Sequence, residues 1–221
     1  LEYRGYDSAG VAVLNGSARV ARLRAVGKVA KLSEALAATP TAGHLGIAHT
    51  RWATHGVPNE RNAHPHISRD GIAIVHNGII ENHEELREDL TRLGYEFTSE
   101  TDTEVIAHRI HHHLAGHKDL FAAVRKTVAE LRGACSLAVM WGQDPDCIVM
   151  ARAGCPAVIG IGKDENFVAS DVAALLPVTR RFIILEEGDV ARIRRRSIQI
   201  VDSAGHTVER RAYESELSAD A

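Results

Sequence analysis

The chain has 221 residues, enough for one large domain or two small domains with a substantial core. Charged residues make up 25% and hydrophobic residues 45%, which is typical of a folded globular protein and argues against a disordered one. The net charge of −3 provides no general attraction to nucleic acid or to an anionic membrane, and no apolar run reaches the about 18–20 residues of a membrane-spanning helix.

The first part of the chain predicts strands around one short helix. In chain order these are strands 9–14 and 18–27, joined by the turn signal Asn15–Gly16, a helix over 29–38, and strands 44–50 and 72–78.

Three amphipathic helices follow, over 82–93, 99–116 and 120–131. Asn82 and Glu85 have the spacing of a capping box at the start of the first, and Thr101 and Glu104 have it at the start of the second. Gly94 is expected to end the first helix.

Short strands dominate the rest of the chain, at 135–141, 147–153, 157–162, 166–170, 181–195, 197–202 and 206–211. Because helices cluster between groups of strands, we predict an α+β fold with mostly antiparallel sheets. The polar residues 213–221 are predicted to begin a linker.

The cysteines Cys135, Cys147 and Cys155 form an odd set without metal-site spacing, which favours a reducing compartment such as the cytoplasm. All three lie in apolar runs, so we expect small buried side chains and no reactive thiol.

Histidines are frequent, but their spacing does not define a metal site. His108 and His112 lie four residues apart, and "NAHPH" (62–66) contains two more histidines. Since no acidic motif accompanies them, we predict a partly exposed helical face and a structural loop, with no metal and no cofactor.

The stretch "HTRWATHG" (49–56) combines groups that suit a small polar ligand. Arg51 presents a planar fork of donors for a carboxylate or phosphate, Thr54 and His55 add hydrogen-bonding groups, and Trp52 offers an apolar lid. The alternative is that Arg51 pairs with a nearby acid while Trp52 fills the core.

Two further features fit a ligand of this kind. Asn77–Gly78 is either an ordinary turn or an oxyanion hole at a strand end. Asp102, at the start of a helix, is either a cap or, if Thr101 caps the helix, a carboxylate free for a cation. Arg51 and Asp102 together describe a receptor for a zwitterionic α-amino acid.

The chain resembles the glutaminase domains of the glucosamine-6-phosphate synthases in seven strings. They occur in this order: "EYRGYDSAG", "HTRWATHG", "NAHPH", "VHNGIIENHEELR", "SETDTEV", "ASD…LLPVTRRF" and "LEEGD". The resemblance covers essentially the whole chain. It implies an N-terminal nucleophile hydrolase fold, a four-layer αββα sandwich of antiparallel sheets.

The resemblance also implies roles for the loop residues. Arg51 would hold the α-carboxylate of L-glutamine, and Thr54 and His55 would complete the glutamine loop. Trp52 would gate the passage of ammonia toward a synthase domain.

The same resemblance assigns the remaining site residues. Asn77 and the Gly78 N–H would form the oxyanion hole, and Asp102 would bind the α-ammonium group. Arg4 and Gly5 would lie near the catalytic N-terminus.

The nucleophile of the family is an N-terminal cysteine whose own α-amino group serves as the base. It and about twenty following residues are expected to precede Leu1, so we predict that a chain starting at Leu1 would not hydrolyse glutamine. The resemblance implies a glutaminase domain over 1–212, a linker from 213, sugar-isomerase domains that bind fructose 6-phosphate, and a homodimer of the full-length protein.

Two other functions fit part of the pattern. The chain could belong to another amidotransferase with the same fold, forming phosphoribosylamine or asparagine, or it could be a glutamine-sensing domain without catalysis. The complete "HTRWATHG" and "LPVTRRF" strings favour the hexosamine enzyme.

Overall fold

The computed structural model describes residues 6–116 and 118–216. The strands are β1 Ser8–Leu14, β2 Val20–Val26, β3 Leu45–Arg51, β4 His66–Ile67, β5 Ile72–Ile80, β6 Gly133–Trp141, β7 Asp144–Ala153, β8 Val158–Ile161, β9 Asn166–Ala169, β10 Arg181–Ile184, β11 Val190–Ile193, β12 Ile198–Val201, β13 Thr207–Val208 and β14 Ala212–Glu214. The helices are α1 Val29–Ala38, α2 His83–Arg92, α3 Asp102–Leu114 and α4 Leu120–Val128.

The strands form three sheets in the described part of the chain. A seven-stranded sheet has the order β13-β12-β11-β7-β6-β5-β4, a three-stranded sheet the order β2-β1-β3, and a four-stranded sheet the order β14-β10-β8-β9. Every pairing between these strands is antiparallel. The predicted α+β class is therefore confirmed.

The layers follow from the alternation of side chains along the strands. On β6, Leu137 and Val139 pack against the core beneath α3 and α4, whereas Ala138 and Met140 pack against the three-stranded sheet. The four-stranded sheet covers another part of that second face through a core that includes Met150. With α1 packed outside β1 and β2, the order is helix, sheet, sheet, helix, as predicted, and the second sheet consists of two pieces.

None of the helices in the described ranges combines the length and the apolarity needed to cross a membrane.

The predicted capping box at α2 is wrong. The Asn82 side chain makes no cap and instead bonds the chain after α4, donating to the Glu130 carbonyl at 3.0 Å and accepting from the Arg132 N–H at 2.9 Å. Glu85 pairs with the Arg132 guanidinium. Tertiary contacts with the start of β6 therefore replace the local cap.

Three other predictions need correction. The single strand over 181–195 is two strands, because Gly188 adopts a φ of +81° in a turn between β10 and β11. Residues 213 and 214, assigned to the linker, continue β14, which pairs with β10. His108 is buried and not on a partly exposed face, because its ring nitrogens bond the Ser68 hydroxyl and the Glu96 carbonyl.

Candidate active site

A cavity of about 1130 Å³ lies where β3 of the three-stranded sheet, β5 and β6 of the seven-stranded sheet and the strands β8 and β9 approach one another. Its lining includes every predicted site residue in the described ranges: Arg51, Trp52, Thr54, His55, Asn77, Gly78 and Asp102. Arg4 and Gly5 lie outside the described residues. Arg51 and Asp102, 51 positions apart in the sequence, therefore share one cavity.

Arg51 ends β3 and is 3% exposed. Its Nη1 donates to Asp7 Oδ1 at 3.3 Å, and its Nη2 donates to the carbonyls of His55 and of Gly56, the latter at 3.2 Å. The guanidinium thus fixes the loop that follows β3. Its Nε–H and one Nη1–H have no partner among the described residues, so the group can still bind an anion.

The loop after Arg51 carries the other predicted residues of this stretch. Trp52 is 71% exposed, which excludes the alternative that it fills the core. The Thr54 hydroxyl lies 3.3 Å from His55 Nδ1, and the His55 ring meets the His83 ring edge-on at 4.7 Å. Trp52, Thr54 and Gly56 are exposed in this loop, whereas Ala53 and His55 are partly buried.

Asn77 and Gly78 lie inside β5 and not at a strand end or turn, because the strand continues to Ile80 and pairs with β6 along its whole length. Gly78 has a φ of +123°, and a Cβ there would stand 1.9 Å from the Ala134 carbonyl oxygen. Only glycine fits this close approach of two strands.

The Asn77 side chain faces β3. Its Oδ1 lies 2.8 Å from His49 Nε2, and its Nδ2 has no hydrogen-bond partner among the described residues. A side-chain amide donor without a protein acceptor, held on a fully paired strand, is suited to bind a developing negative oxygen.

Asp102 is the first residue of α3 and is 3% exposed. Thr101 provides the cap, since its hydroxyl accepts the Glu104 N–H at 3.3 Å. Asp102 Oδ2 accepts the Ile80 N–H at 2.9 Å, while Oδ1 has no hydrogen bond within the described ranges. One carboxylate oxygen therefore remains available to a cationic ligand.

The Glu104 carboxylate organises the loop before α3 instead of completing a capping box. It accepts hydrogen bonds from the backbone N–H groups and hydroxyls of Thr98 and Ser99. This network sets the position at which α3 starts, and so the position of Asp102.

Sequence reasoning missed a group of buried histidines at the cavity: His49, His64 and His76 line it, and His66 lies beside His64. The Thr103 hydroxyl lies 2.9 Å from both His64 Nε2 and His76 Nδ1. Burial lowers the pKa of all four, to about 4 for His49 and about 3 for His66. They are neutral near pH 7 and serve as hydrogen-bonding groups; the signal was their position inside "HTRWATHG", "NAHPH" and "VHNG".

The described cysteines lack the properties of a nucleophile. Cys135 and Cys147 are buried, and burial raises their pKa to about 12. Cys155 is partly exposed and lines the cavity, and burial also raises its pKa. Within residues 6–116 and 118–216, no group of three or more His, Cys, Asp or Glu side chains is arranged to hold a metal ion.

The sequence profile of the glutamine amidotransferase domain matches residues 49–177, which is more than half of the chain and includes the predicted site from Arg51 to Asp102. The chain belongs to this family of glutamine amidotransferase domains.

Two enzymes of known name share a more specific sequence similarity with the chain. The chain is 60% identical over all of its length to glutamine–fructose-6-phosphate aminotransferase (isomerizing) of Pseudomonas aeruginosa, and 60% identical to the enzyme of the same name from Idiomarina loihiensis. In both cases it spans 36% of the relative's length.

Solved structures show the same fold. Glutamine phosphoribosylpyrophosphate amidotransferase from B. subtilis superposes with a TM-score of 0.73 at 24% identity, covering 98% of this chain and 45% of that one. A glutamine aminotransferase class-II domain protein from Silicibacter pomeroyi gives a TM-score of 0.62 at 18% identity, covering 89% of this chain and 91% of that one. The predicted N-terminal nucleophile hydrolase fold is confirmed by this likeness.

Proposed function

We propose that the chain is the glutaminase part of an enzyme that transfers the amide nitrogen of L-glutamine to fructose 6-phosphate and forms glucosamine 6-phosphate. The 60% identity to two proteins of that name supports this choice over the phosphoribosylamine-forming and asparagine-forming amidotransferases. The chain spans 36% of the length of those relatives, and we propose that the same polypeptide also contains sugar-isomerase domains.

The observation that carries the proposal is that Arg51 and Asp102 line one cavity, with Asn77 and Gly78 in the same lining. Free glutamine has a carboxylate, an ammonium group and an amide. The buried Arg51 guanidinium, with its unpaired N–H groups, suits the carboxylate, and the buried Asp102 carboxylate, with its unpaired oxygen, suits the ammonium group. The Asn77 amide donor suits the oxygen of the glutamine side-chain amide.

In the proposed reaction, a thiolate attacks the amide carbon of glutamine and the carbonyl electrons move to oxygen. The Asn77 Nδ2 and the Gly78 N–H stabilise that oxyanion. The α-amino group of the proposed N-terminal cysteine takes the thiol proton and passes it to the leaving nitrogen, so collapse of the intermediate expels ammonia and leaves a glutamyl thioester. Water then hydrolyses the thioester to glutamate and restores the thiol. The family resemblance implies that the nucleophile is an N-terminal cysteine upstream of Leu1, and the raised pKa of the thiols at Cys135, Cys147 and Cys155 gives no reason to assign the role to one of them.

The remaining parts of the proposal come from the family resemblance. Thr54 and His55 complete the glutamine loop, Trp52 gates ammonia, and Arg4 and Gly5 lie beside the catalytic N-terminus. The glutaminase domain extends from residue 1 to the end of β14 at Glu214, and the linker begins after it. The enzyme acts in the cytoplasm as a homodimer and uses no cofactor in this domain.

Calorimetry with L-glutamine tests the binding site on the full-length protein encoded by the gene that contains this chain. We expect binding to weaken strongly in Arg51→Ala and in Asp102→Ala. Arg132→Ala, which removes an exposed arginine outside the cavity lining, serves as the control. Equal affinity in the wild type and both site variants would exclude these residues from the site.

Steady-state assays then separate the functions. Glutamate release together with fructose 6-phosphate-dependent formation of glucosamine 6-phosphate supports the proposal. Glutamine binding without glutamate release would identify a sensing domain, and glutamate release without the sugar product would identify a different amidotransferase.

A further inference from the structure

We propose that His49 is a positioning residue for the oxyanion hole: its Nε2–H holds the Oδ1 of Asn77, so that the amide Nδ2 faces the cavity. The proposal rests on the role of Asn77 proposed above. It assigns a function to a histidine that does not itself touch the reacting atoms.

The contact joins two sheets. His49 lies on β3 of the three-stranded sheet and Asn77 on β5 of the seven-stranded sheet, with Nε2 and Oδ1 2.8 Å apart. The other ring nitrogen of His49, Nδ1, has no access to solvent and no hydrogen-bond partner among residues 6–116 and 118–216. Of its two ring nitrogens, His49 therefore uses only the one that touches Asn77 for a side-chain hydrogen bond.

The protonation state of His49 determines the direction of this hydrogen bond. Burial lowers the pKa of His49 to about 4, so the ring is neutral near pH 7 and carries one N–H. If that hydrogen is on Nε2, it is donated to an amide oxygen and the inaccessible Nδ1 is a bare acceptor. If it were on Nδ1, an N–H donor would be buried without a partner, which is unfavourable.

The orientation of Asn77 matters because a side-chain amide presents a donor at one end and an acceptor at the other. With Oδ1 held by His49, the unpartnered Nδ2 is the group left for the cavity. A rotation of the amide by half a turn would direct Oδ1 at the developing oxyanion and repel it. The histidine thus selects the productive orientation of two that have nearly the same shape.

A pair of substitutions in the full-length protein separates this role from simple packing. His49→Leu fills similar space without a donor, and His49→Gln keeps an N–H donor at a position equivalent to Nε2. We expect His49→Leu to lower the glutaminase kcat about tenfold to a hundredfold with little change in the KM for glutamine. Removal of an oxyanion donor itself lowers kcat about a hundredfold or more, and loss of the residue that orients the donor should cost less. His49→Gln should remain within severalfold of the wild type.

The double variant His49→Leu/Asn77→Ala tests the coupling. It should be no slower than Asn77→Ala alone, because the histidine acts through that amide. His108→Leu, which removes a buried histidine outside the cavity lining, controls for the loss of a packed imidazole, and thermal unfolding of each variant confirms folding.

The outcomes are distinguishable. If His49→Gln is as slow as His49→Leu while both are folded, or if the two substitutions multiply in the double variant, the positioning role is wrong. If wild-type protein releases no glutamate, or if Asn77→Ala is as fast as the wild type, the proposed oxyanion hole fails first.

Discussion

The two sides of the candidate site are built in opposite ways. Asn77 and Gly78 lie within β5 and are paired with β6 on the whole length of the strand, and a side chain at Gly78 has no space. In the loop after Arg51, Trp52 and Thr54 are exposed and have few contacts. Groups proposed to act on the transition state thus occupy a fully paired strand, and Trp52, Thr54 and His55, proposed to complete the glutamine loop, occupy a segment without strand pairing that the Arg51 guanidinium holds at the His55 and Gly56 carbonyls.

The largest expected effect comes from breaking the paired strand with Gly78→Ala. The new Cβ would stand 1.9 Å from the Ala134 carbonyl and would require alanine to hold a φ of +123°. We expect a loss of about 3–5 kcal/mol in the free energy of unfolding and loss of glutaminase activity, measured by chemical denaturation and glutamate release.

Gly94→Ala is the matched control for this substitution. Its φ is also positive, at +83°, but no atom lies within 4 Å of the added Cβ. The cost there should be about 1–2 kcal/mol from backbone conformation alone, with activity retained. Equal costs at the two glycines would show that close packing of β5 on β6 is not what requires Gly78.

Asp102→Asn sharpens the comparison by changing charge beside the paired strand with little change in shape. Asparagine keeps an oxygen for the Ile80 N–H, so the fold should persist, but it loses the charge proposed to bind the α-ammonium group. We expect the KM for glutamine to rise roughly tenfold to a hundredfold, the difference between charged and neutral hydrogen bonds. Asp89→Asn, outside the cavity lining, is the control, and an unchanged KM in Asp102→Asn would contradict the assignment.

The buried histidines predict a pH dependence of stability. The pKa of His66 is lowered by burial to about 3 in the folded protein, whereas an unfolded histidine titrates near 6.5. Below about pH 6.5 the unfolded chain therefore binds a proton that the folded chain does not, and stability falls as the pH falls toward the folded pKa.

Urea unfolding between pH 7 and 4.5 measures this effect. The His66 contribution corresponds to about 1.4 kcal/mol per pH unit, so His66→Gln should flatten the dependence by up to that amount while keeping a hydrogen-bonding group for the Thr101 hydroxyl. His206→Gln, at an exposed histidine, is the control for the removal of an imidazole outside the buried group. A wild-type stability that rises on acidification would refute the prediction.

The smallest effect on stability is expected on the loop. Trp52→Ala removes a side chain that is 71% exposed, so the free energy of unfolding should change by no more than about 0.5 kcal/mol. Glutamate release should persist, while glucosamine 6-phosphate formation should fall relative to it if Trp52 gates ammonia. Equal losses of both products would place Trp52 in glutamine binding instead.

Much of the fold could be predicted from periodicity. The helix over 29–38 and the strand over 9–14 match α1 and β1 closely, because α1 has one side that buries Leu32 and partly buries Ala35 and Leu36, and β1 is largely buried. Local rules failed where distant segments compete with them. The Asn82 side chain bonds the chain near Arg132, fifty residues away, which no capping rule anticipates.

The residues of the candidate site could be predicted from the sequence, but the hydrogen bonds and ion pairs that position them could not. Arg51, Asn77 and Asp102 were identified by residue type and by resemblance, and they line one cavity. The bond between His49 and Asn77 depends on how β3 packs over β5, and a sequence does not specify which strands of two sheets face each other. Asp7, the partner of Arg51, lies outside any motif that suggests an ion pair.

The hydrogen bond from the Ile80 N–H to Asp102 Oδ2 gives the site a fixed length. It joins the start of α3 to the same strand that carries Asn77, so Asp102, proposed to bind the ammonium group, and Asn77, proposed to bind the amide oxygen, keep a fixed separation. A pocket with this fixed separation would bind glutamine in preference to asparagine. The amide of asparagine is one methylene nearer its α-carbon and would not reach the Asn77 donor while its ammonium group is bound at Asp102.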